Sequence, residues 1–407
     1  MSSALLTVVR SLSFAHDRSS DLRIIPDARW RELLALTDSS QLTLPLGIRC
    51  PQELPAWARE RIEGNLRNNA IRHSRILDAY QQVARALSSR GIDFIVLKGL
   101  AQWPHYCDNL RYRPQYDLDL YCPPRAIAPA FQAIQALGYQ PFGRKGRIAS
   151  DHLPPLIRMT GWRPRGDYYD PEMPLTIELH FQFWDESTEH FSVDSDGGFW
   201  ERRMNRQMHG LSIPALDPAD GLSYTAWHLV RHLVRGDVRA YHVYELAHFL
   251  HRTANDDSFW GDWRNRNSSA LVEAIAFRLA IDWFECRAHP SVQELCQTLP
   301  LSVRRWFDVF TFSPLTALEH PNKDELFLHL CLVKRWRERL QITNGRLFPV
   351  RFNPIVVDAH VPAPDWGLRL RRKVFGAWFM ARRAFHHART LPPVLWNGVR
   401  WRRALAK

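Results

Sequence analysis

Cysteine is sparse in this chain: six in 407 residues, at 50, 107, 122, 286, 296 and 331, with no Cys-x-x-Cys spacing. That excludes a dense disulfide framework and argues against a cysteine-based zinc site. Long apolar runs are missing as well. No stretch reaches the roughly 18 apolar residues of a membrane-spanning helix, and residues 1–20 lack a basic start followed by a sustained apolar core. The expectation is a cytoplasmic protein with reduced thiols. No internal repeat is evident. Acidic residues are missing from one region: residues 366–407 hold eleven Lys or Arg and no Asp or Glu, leaving 43 basic against 42 acidic residues elsewhere. The net charge of +12 therefore belongs almost wholly to the tail.

What is present points to a globular protein. An apolar content of 45% with 12% aromatics is ample for the cores of two or three domains. The informative stretch is Leu97-Lys98-Gly99, followed by Arg113 and then Asp117-Leu118-Asp119-Leu120. Carboxylates at i and i+2 of a strand point to one face, roughly 6 to 7 Å apart, and suit holding divalent metal against a polyphosphate. Gly91 opens the apolar run Ile92–Leu97, and Pro123-Pro124 ends the segment after Asp119, so both motifs sit at strand ends.

A third acid comes from residues 174–183, which alternate as a half-buried strand with Thr176, Glu178 and His180 on one face. Pairing of this strand beside the Asp117 strand would bring Glu178 to about 5 Å from it. Asp117, Asp119 and Glu178 would then share one or two Mg²⁺ (or Mn²⁺) ions, hard cations that prefer carboxylate oxygen.

These residues resemble a known family, the uncharacterised nucleotidyltransferases of the DNA polymerase β superfamily, related to the minimal nucleotidyltransferases. The resemblance is carried by Leu97-Lys98-Gly99, Tyr106, Arg113, Asp117-Leu118-Asp119 and Glu178-Leu179-His180-Phe181, then Asp217-Pro218-Ala219-Asp220 and Tyr244-Glu245-Leu246-Ala247, across about residues 60 to 255. Gly99 stands eighteen residues before Asp117, a longer spacing than in the minimal enzymes, and Tyr116 occupies a position where the family tends to have a small residue. The resemblance implies metal-dependent transfer of a nucleoside monophosphate from an NTP to a hydroxyl or phosphate acceptor, in polysaccharide or modified-peptide biosynthesis. Asp117 and Asp119 would bridge two metals roughly 4 Å apart, and Glu178 would hold the metal nearest the acceptor or accept its proton. Lys98, the Gly99 amide, Arg113 and Glu245 are the candidate nucleotide-binding groups. Competing readings are a solvated loop charge for Lys98 and an ion pair with Asp117 for Arg113.

The expected architecture is α/β (α+β): a mixed-sheet nucleotidyltransferase domain, a mostly helical domain and a basic helical tail. Residues 1–54 read as an irregular N-terminal extension with a short helix near 27–36. Residues 55–215 form the catalytic domain, led by a long helix from Pro55 through Leu87. Residues 216–348 follow as helices, opened by Asp217 as N-cap with Pro218 at the first position, and 349–407 as a proline-containing linker and tail. His228 and His232 share a helix face, as do His248 and His251; without a nearby third ligand they read as solvated or core histidines. Residues 194–198 carry only a fragment of a calcium-loop pattern and are discounted. In the tail, arginines alternate with Trp366, Phe375, Trp378, Phe379, Trp396 and Trp401, either as a helix docked on the body or as one that meets an anionic membrane surface, the possible peripheral site of the protein. Nucleic acid is the less favoured partner. The rival class is a non-catalytic relative that serves as a nucleotide-binding or membrane-surface interaction module.

Overall fold

The computed structural model describes residues 4–142, 151–194, 198–208, 210–266, 270–348, 360–361 and 366–406. At its centre is a mixed sheet of β1 (Ile95–Val96), β2 (Asp117–Tyr121), β3 (Tyr139–Pro141), β4 (Leu156–Arg158), β5 (Thr176–His180), β6 (Met204–Met208) and β7 (Leu211–Ala215). The order is β3-β4-β5-β2-β1-β7-β6. β2 runs parallel to β5, and β1 is antiparallel to β2 but parallel to β7; the outer pairs are antiparallel.

Period-two alternation fixes which face of the sheet does what. Leu118 and Leu120 of β2 and Ile177 and Leu179 of β5 are buried in one core with Ile76, Tyr80, Val83 and Leu87 of the helix Ala56–Ser88. Each buried aliphatic chain contributes about 1.5–3 kcal/mol, so four of them pin the register strongly. A slip by one residue would drive Asp117 and Asp119 into that core and lift the leucines out. The acids are therefore held on the opposite face by their neighbours.

That opposite face is roofed by the helices Pro218–Arg235 and Ala240–Arg252. Asp217 caps the first by accepting from the Ala219 amide at 3.0 Å, Pro218 fills the first turn, and Gly236 closes the helix at φ +74°. Apolar residues of both helices join a second, larger core with Leu271–Phe284.

One expectation is corrected. The N-terminal region is not an irregular extension but carries the helices Ala4–Ser11, Trp30–Ser40 and Thr43–Arg49. Leu5, Val8, Val9 and Leu12 are buried in the larger core. The C-terminal tail is one helix, Trp366–Leu405, anchored on the body through buried Leu368, Thr390, Val394 and Trp401. Asn397 donates to Asp324 Oδ1 at 2.8 Å, and Trp401 stacks on Phe327. Apart from His360 and Val361, the proline-containing segment 349–364 lies outside the described residues, as do Ser195, Asp196 and Gly197 of the discounted loop. All six cysteines are free thiols.

Candidate active site

Strand pairing builds the acidic centre. In the β2–β5 register Asp117 faces Thr176, Asp119 faces Glu178 and Tyr121 faces His180. Glu178 is thus the direct neighbour of Asp119, as the alternation requires. Asp119, Glu178 and His180 each bring a ligand atom within 4.8 Å of the others. These donors line a cavity of about 310 Å³ between the acid face and the two roofing helices.

Cations hold Asp119 from two sides. Lys98 Nζ lies 3.1 Å from Asp119 Oδ1 and His180 Nε2 3.2 Å from the same oxygen. Burial alone would raise the Asp119 carboxyl; Lys98 and His180 outweigh it and hold the group far below the usual range. His180 is kept protonated more readily than usual because Asp119 and Asp151 outweigh its own burial. Asp151 is in turn ion-paired with the buried Arg231 of the roof.

Asp117 and Glu178 are in the opposite condition. Burial and the neighbouring Asp119 raise the Asp117 carboxyl, and burial with Asp119 and Asp117 pushes Glu178 up to about 7. Three carboxylates line one cavity, and the protein's own cations compensate chiefly one of them. Such a donor set fits a divalent cation, which would neutralise the surplus charge.

This sets a pH dependence with a definite sign. The folded protein holds a proton on Glu178 that the unfolded chain releases near pH 4.5, so stability falls as pH rises from about 4.5 to 7. A divalent cation held there would replace that proton. Thermal stabilisation by Mn²⁺ is expected to grow between pH 5.5 and 8 and to shrink in Glu178→Gln, read by differential scanning calorimetry; a Mn²⁺ response independent of pH and of Glu178 would contradict this.

The expected nucleotide-binding groups are placed differently from one another. Gly99 adopts φ +65°, and a Cβ there would collide with the Gln115 carboxamide, so the turn requires glycine. Its amide is already used: Gly99 N–H donates to Gln102 Oε1 at 3.1 Å, which also accepts from Arg113 Nη2. Arg113 pairs with Glu245 rather than Asp117, Nε to Oε1 at 2.6 Å and Nη2 to Oε2 at 3.2 Å. Both partners of that pair are buried. Lys98 is a half-buried partner of Asp119 and donates to His228 Nε2 at 3.1 Å, so it is not a solvated loop charge. Tyr116 lines the cavity with its ring under Arg72 and its hydroxyl donating to the Tyr168 carbonyl at 3.1 Å.

His228 and His232, expected as solvated or core histidines, are buried and half-buried. Both line the cavity, with His242 of the next helix beside them. The sequence signal for the first two was their i, i+4 spacing; for His242 none was visible, because its partner face lies on another helix. His180 was marked as sharing the face of Glu178, and the structure adds its contact with Asp119.

A mixed sheet that presents Asp-x-Asp and a facing Glu beside a Lys-Gly turn is a nucleotidyltransferase arrangement. The model of a family described as an uncharacterised nucleotidyltransferase matches residues 26–282, more than half of the chain, and the chain belongs to that family. No curated protein and no solved structure matches the chain. The family implies an NTP donor, and the match reaches beyond the 60–255 expected, taking in the N-terminal helices Trp30–Ser40 and Thr43–Arg49.

Proposed function

We propose that this chain transfers a nucleoside monophosphate from an NTP to a hydroxyl or phosphate acceptor with Mg²⁺ or Mn²⁺ held by Asp117, Asp119 and Glu178, within a catalytic domain of about residues 55–215. The observation that supports this reading is Asp119 and Glu178 side by side in the β2–β5 register, with His180 within 4.8 Å of both and Asp117 lining the same cavity. Bound there, a divalent cation would offset charge on the triphosphate and lower the pKa of the acceptor hydroxyl. Lys98 and His180 hold Asp119 ionised and oriented. Glu178 would hold the metal nearest the acceptor, or accept the acceptor's proton as the hydroxyl oxygen bonds to the α-phosphorus and pyrophosphate leaves. Polysaccharide precursors and peptides bearing hydroxyls are the acceptor classes this reading favours. It is tested by metal-dependent release of pyrophosphate from the common NTPs by the intact protein; release independent of added metal would overturn it.

The C-terminal helix supports a second element of the proposal, contact with an anionic membrane surface. Among the described residues no helix is long and apolar enough to cross a membrane. The helix Trp366–Leu405 has two apolar sides. Leu368, Thr390, Val394 and Trp401 face the body, whereas Trp366, Leu370, Val374, Trp378, Phe385, Leu395, Trp396 and Val399 are each at least 46% exposed. At about 100° per residue these eight fall within roughly a third of the circumference, in a stripe about 50 Å long. Arg371, Arg382, Arg389 and Arg400 run along one edge of it on the same helical wheel. An apolar stripe with a basic border and tryptophans suits lying in a lipid interface. Replacing Trp366, Leu370 and Trp378 together with Ser is expected to abolish salt-sensitive co-sedimentation with phosphatidylserine-rich vesicles while leaving the docked side intact. Each nearby basic residue adds about 1 kcal/mol to such binding. An intact protein that ignores these vesicles at low salt, or a triple variant that binds as well as wild type, would contradict the membrane reading.

A further inference from the structure

Among the described residues, the lysine and arginine side chains lining the cavity pair off with carboxylates except at one place. Lys98 meets Asp119, Arg113 meets Glu245, Arg231 meets Asp151, and Arg235 meets Glu189. Arg239, the residue at which the helix Ala240–Arg252 begins, lines the same cavity, is exposed, and forms no ion pair among the described residues. Its charge nevertheless reaches the acids: it opposes the upward push on the Asp117 carboxyl and the Tyr116 hydroxyl, and it adds to the burial that keeps His242 neutral.

Three imidazoles line the same cavity. His228 and His232 bring their Nε2 atoms to 3.1 Å, and the ring of His242 lies 5.3 and 5.6 Å from theirs. His242 Nδ1 is buried without a hydrogen-bond partner. Arg239 and His242 therefore offer the cavity a positive charge outside any ion pair and a buried imidazole nitrogen without a partner.

We propose that Arg239, with His242 beside it, is the anion-binding wall that receives the β- and γ-phosphates of the NTP donor. The inference rests on the nucleotidyl-transfer reading and gives a residue of the roofing helices the role that Lys98 and Arg113 were expected to fill from the sheet. A triphosphate placed against Asp117 and Glu178 needs a cation on its far side. Recruiting Lys98, Arg113, Arg231 or Arg235 would strip a carboxylate of its partner in each case. Arg239 breaks no pair, and its guanidinium can take two phosphate oxygens at once. His242 Nδ1 adds a donor when it carries its hydrogen.

The test is calorimetric titration of the full-length protein with inorganic tripolyphosphate and with each of the four common NTPs, all with Mg²⁺. Arg239→Gln is expected to weaken tripolyphosphate and NTP binding by roughly ten- to a hundredfold, and Arg239→Lys by less. The melting temperature should not move, because Arg239 is exposed. Arg90→Gln removes the same charge from the exposed end of a distant helix and is expected to leave binding unchanged. If Arg239→Gln binds tripolyphosphate as tightly as wild type, the assignment of Arg239 is overturned while the donor reading stands. If wild type binds no triphosphate compound, the donor reading falls and the assignment with it.

Discussion

Asp117→Asn is expected to lower turnover by roughly 10²- to 10³-fold without lowering the melting temperature. The first half follows from losing one electrostatic element of a phosphoryl-transfer site, about 3–4 kcal/mol of transition-state stabilisation. The second follows from the charge balance. In the absence of metal, Asp117 is a half-buried carboxyl whose ionisation is opposed by desolvation and by Asp119, so neutralising it relieves repulsion. Asp119→Asn should behave differently, because it leaves Lys98 and His180 without their shared partner and so costs both turnover and stability. Pyrophosphate release and calorimetric melting of the two variants side by side decide this. Equal loss of stability in both would mean that the acids are structural; unchanged turnover in Asp117→Asn would remove it from the chemistry.

The second large effect is expected at a residue first read as a phosphate ligand. Arg113→Ala should destabilise the fold by about 3–5 kcal/mol, because it leaves Glu245 charged and unpaired in the interior. In a domain of this size that corresponds to a fall in melting temperature on the order of 10 °C. Replacing both partners, as Arg113→Met with Glu245→Leu, should recover most of the loss, since an apolar pair has no charge to leave stranded. The pair joins the turn before β2 to the helix Ala240–Arg252, so its integrity also sets the height of the roof over the acids. A variant Arg113→Ala that melts like wild type yet binds NTP poorly would restore the phosphate role.

The acid face was readable because its information is local. Asp117 and Asp119 differ by two positions, Leu118 and Leu120 alternate with them, and Glu178 sits in a second strand of the same period, so one geometric rule places all three. The helix cap at Asp217-Pro218 and the long helix ahead of β1 were legible for the same reason. The partners of the charges were not. Arg113 and Glu245 are 132 residues apart, and Lys98 meets His228 across 130, distances over which no periodicity carries information. Arg239 and His242 are likewise ordinary surface residues until two helices are laid over the sheet. The N-terminal helix is a different case. Leu5, Val8, Val9 and Leu12 have the i, i+3, i+4, i+7 spacing of a buried helical face, a signal that was present and outweighed by the irregular composition around it. In the tail, the alternation of arginine with aromatics was visible, but which tryptophans dock and which remain outside depends on contacts with Phe310, Asp324 and Phe327. For that reason the exposed stripe is best probed by substitution; removing residues 366–407 would also uncover the surface on which Trp401 packs.

The most direct measurement of the proposed chemistry needs no knowledge of the acceptor: calorimetric titration of each common NTP into wild type, Asp117→Asn and Glu178→Gln, with and without Mn²⁺. The expected result is that at least one NTP binds wild type only when Mn²⁺ is present and that either substitution removes this metal dependence. Binding of NTP that is equally tight without Mn²⁺, or in both variants, would contradict a metal centre built from the carboxylates of β2 and β5.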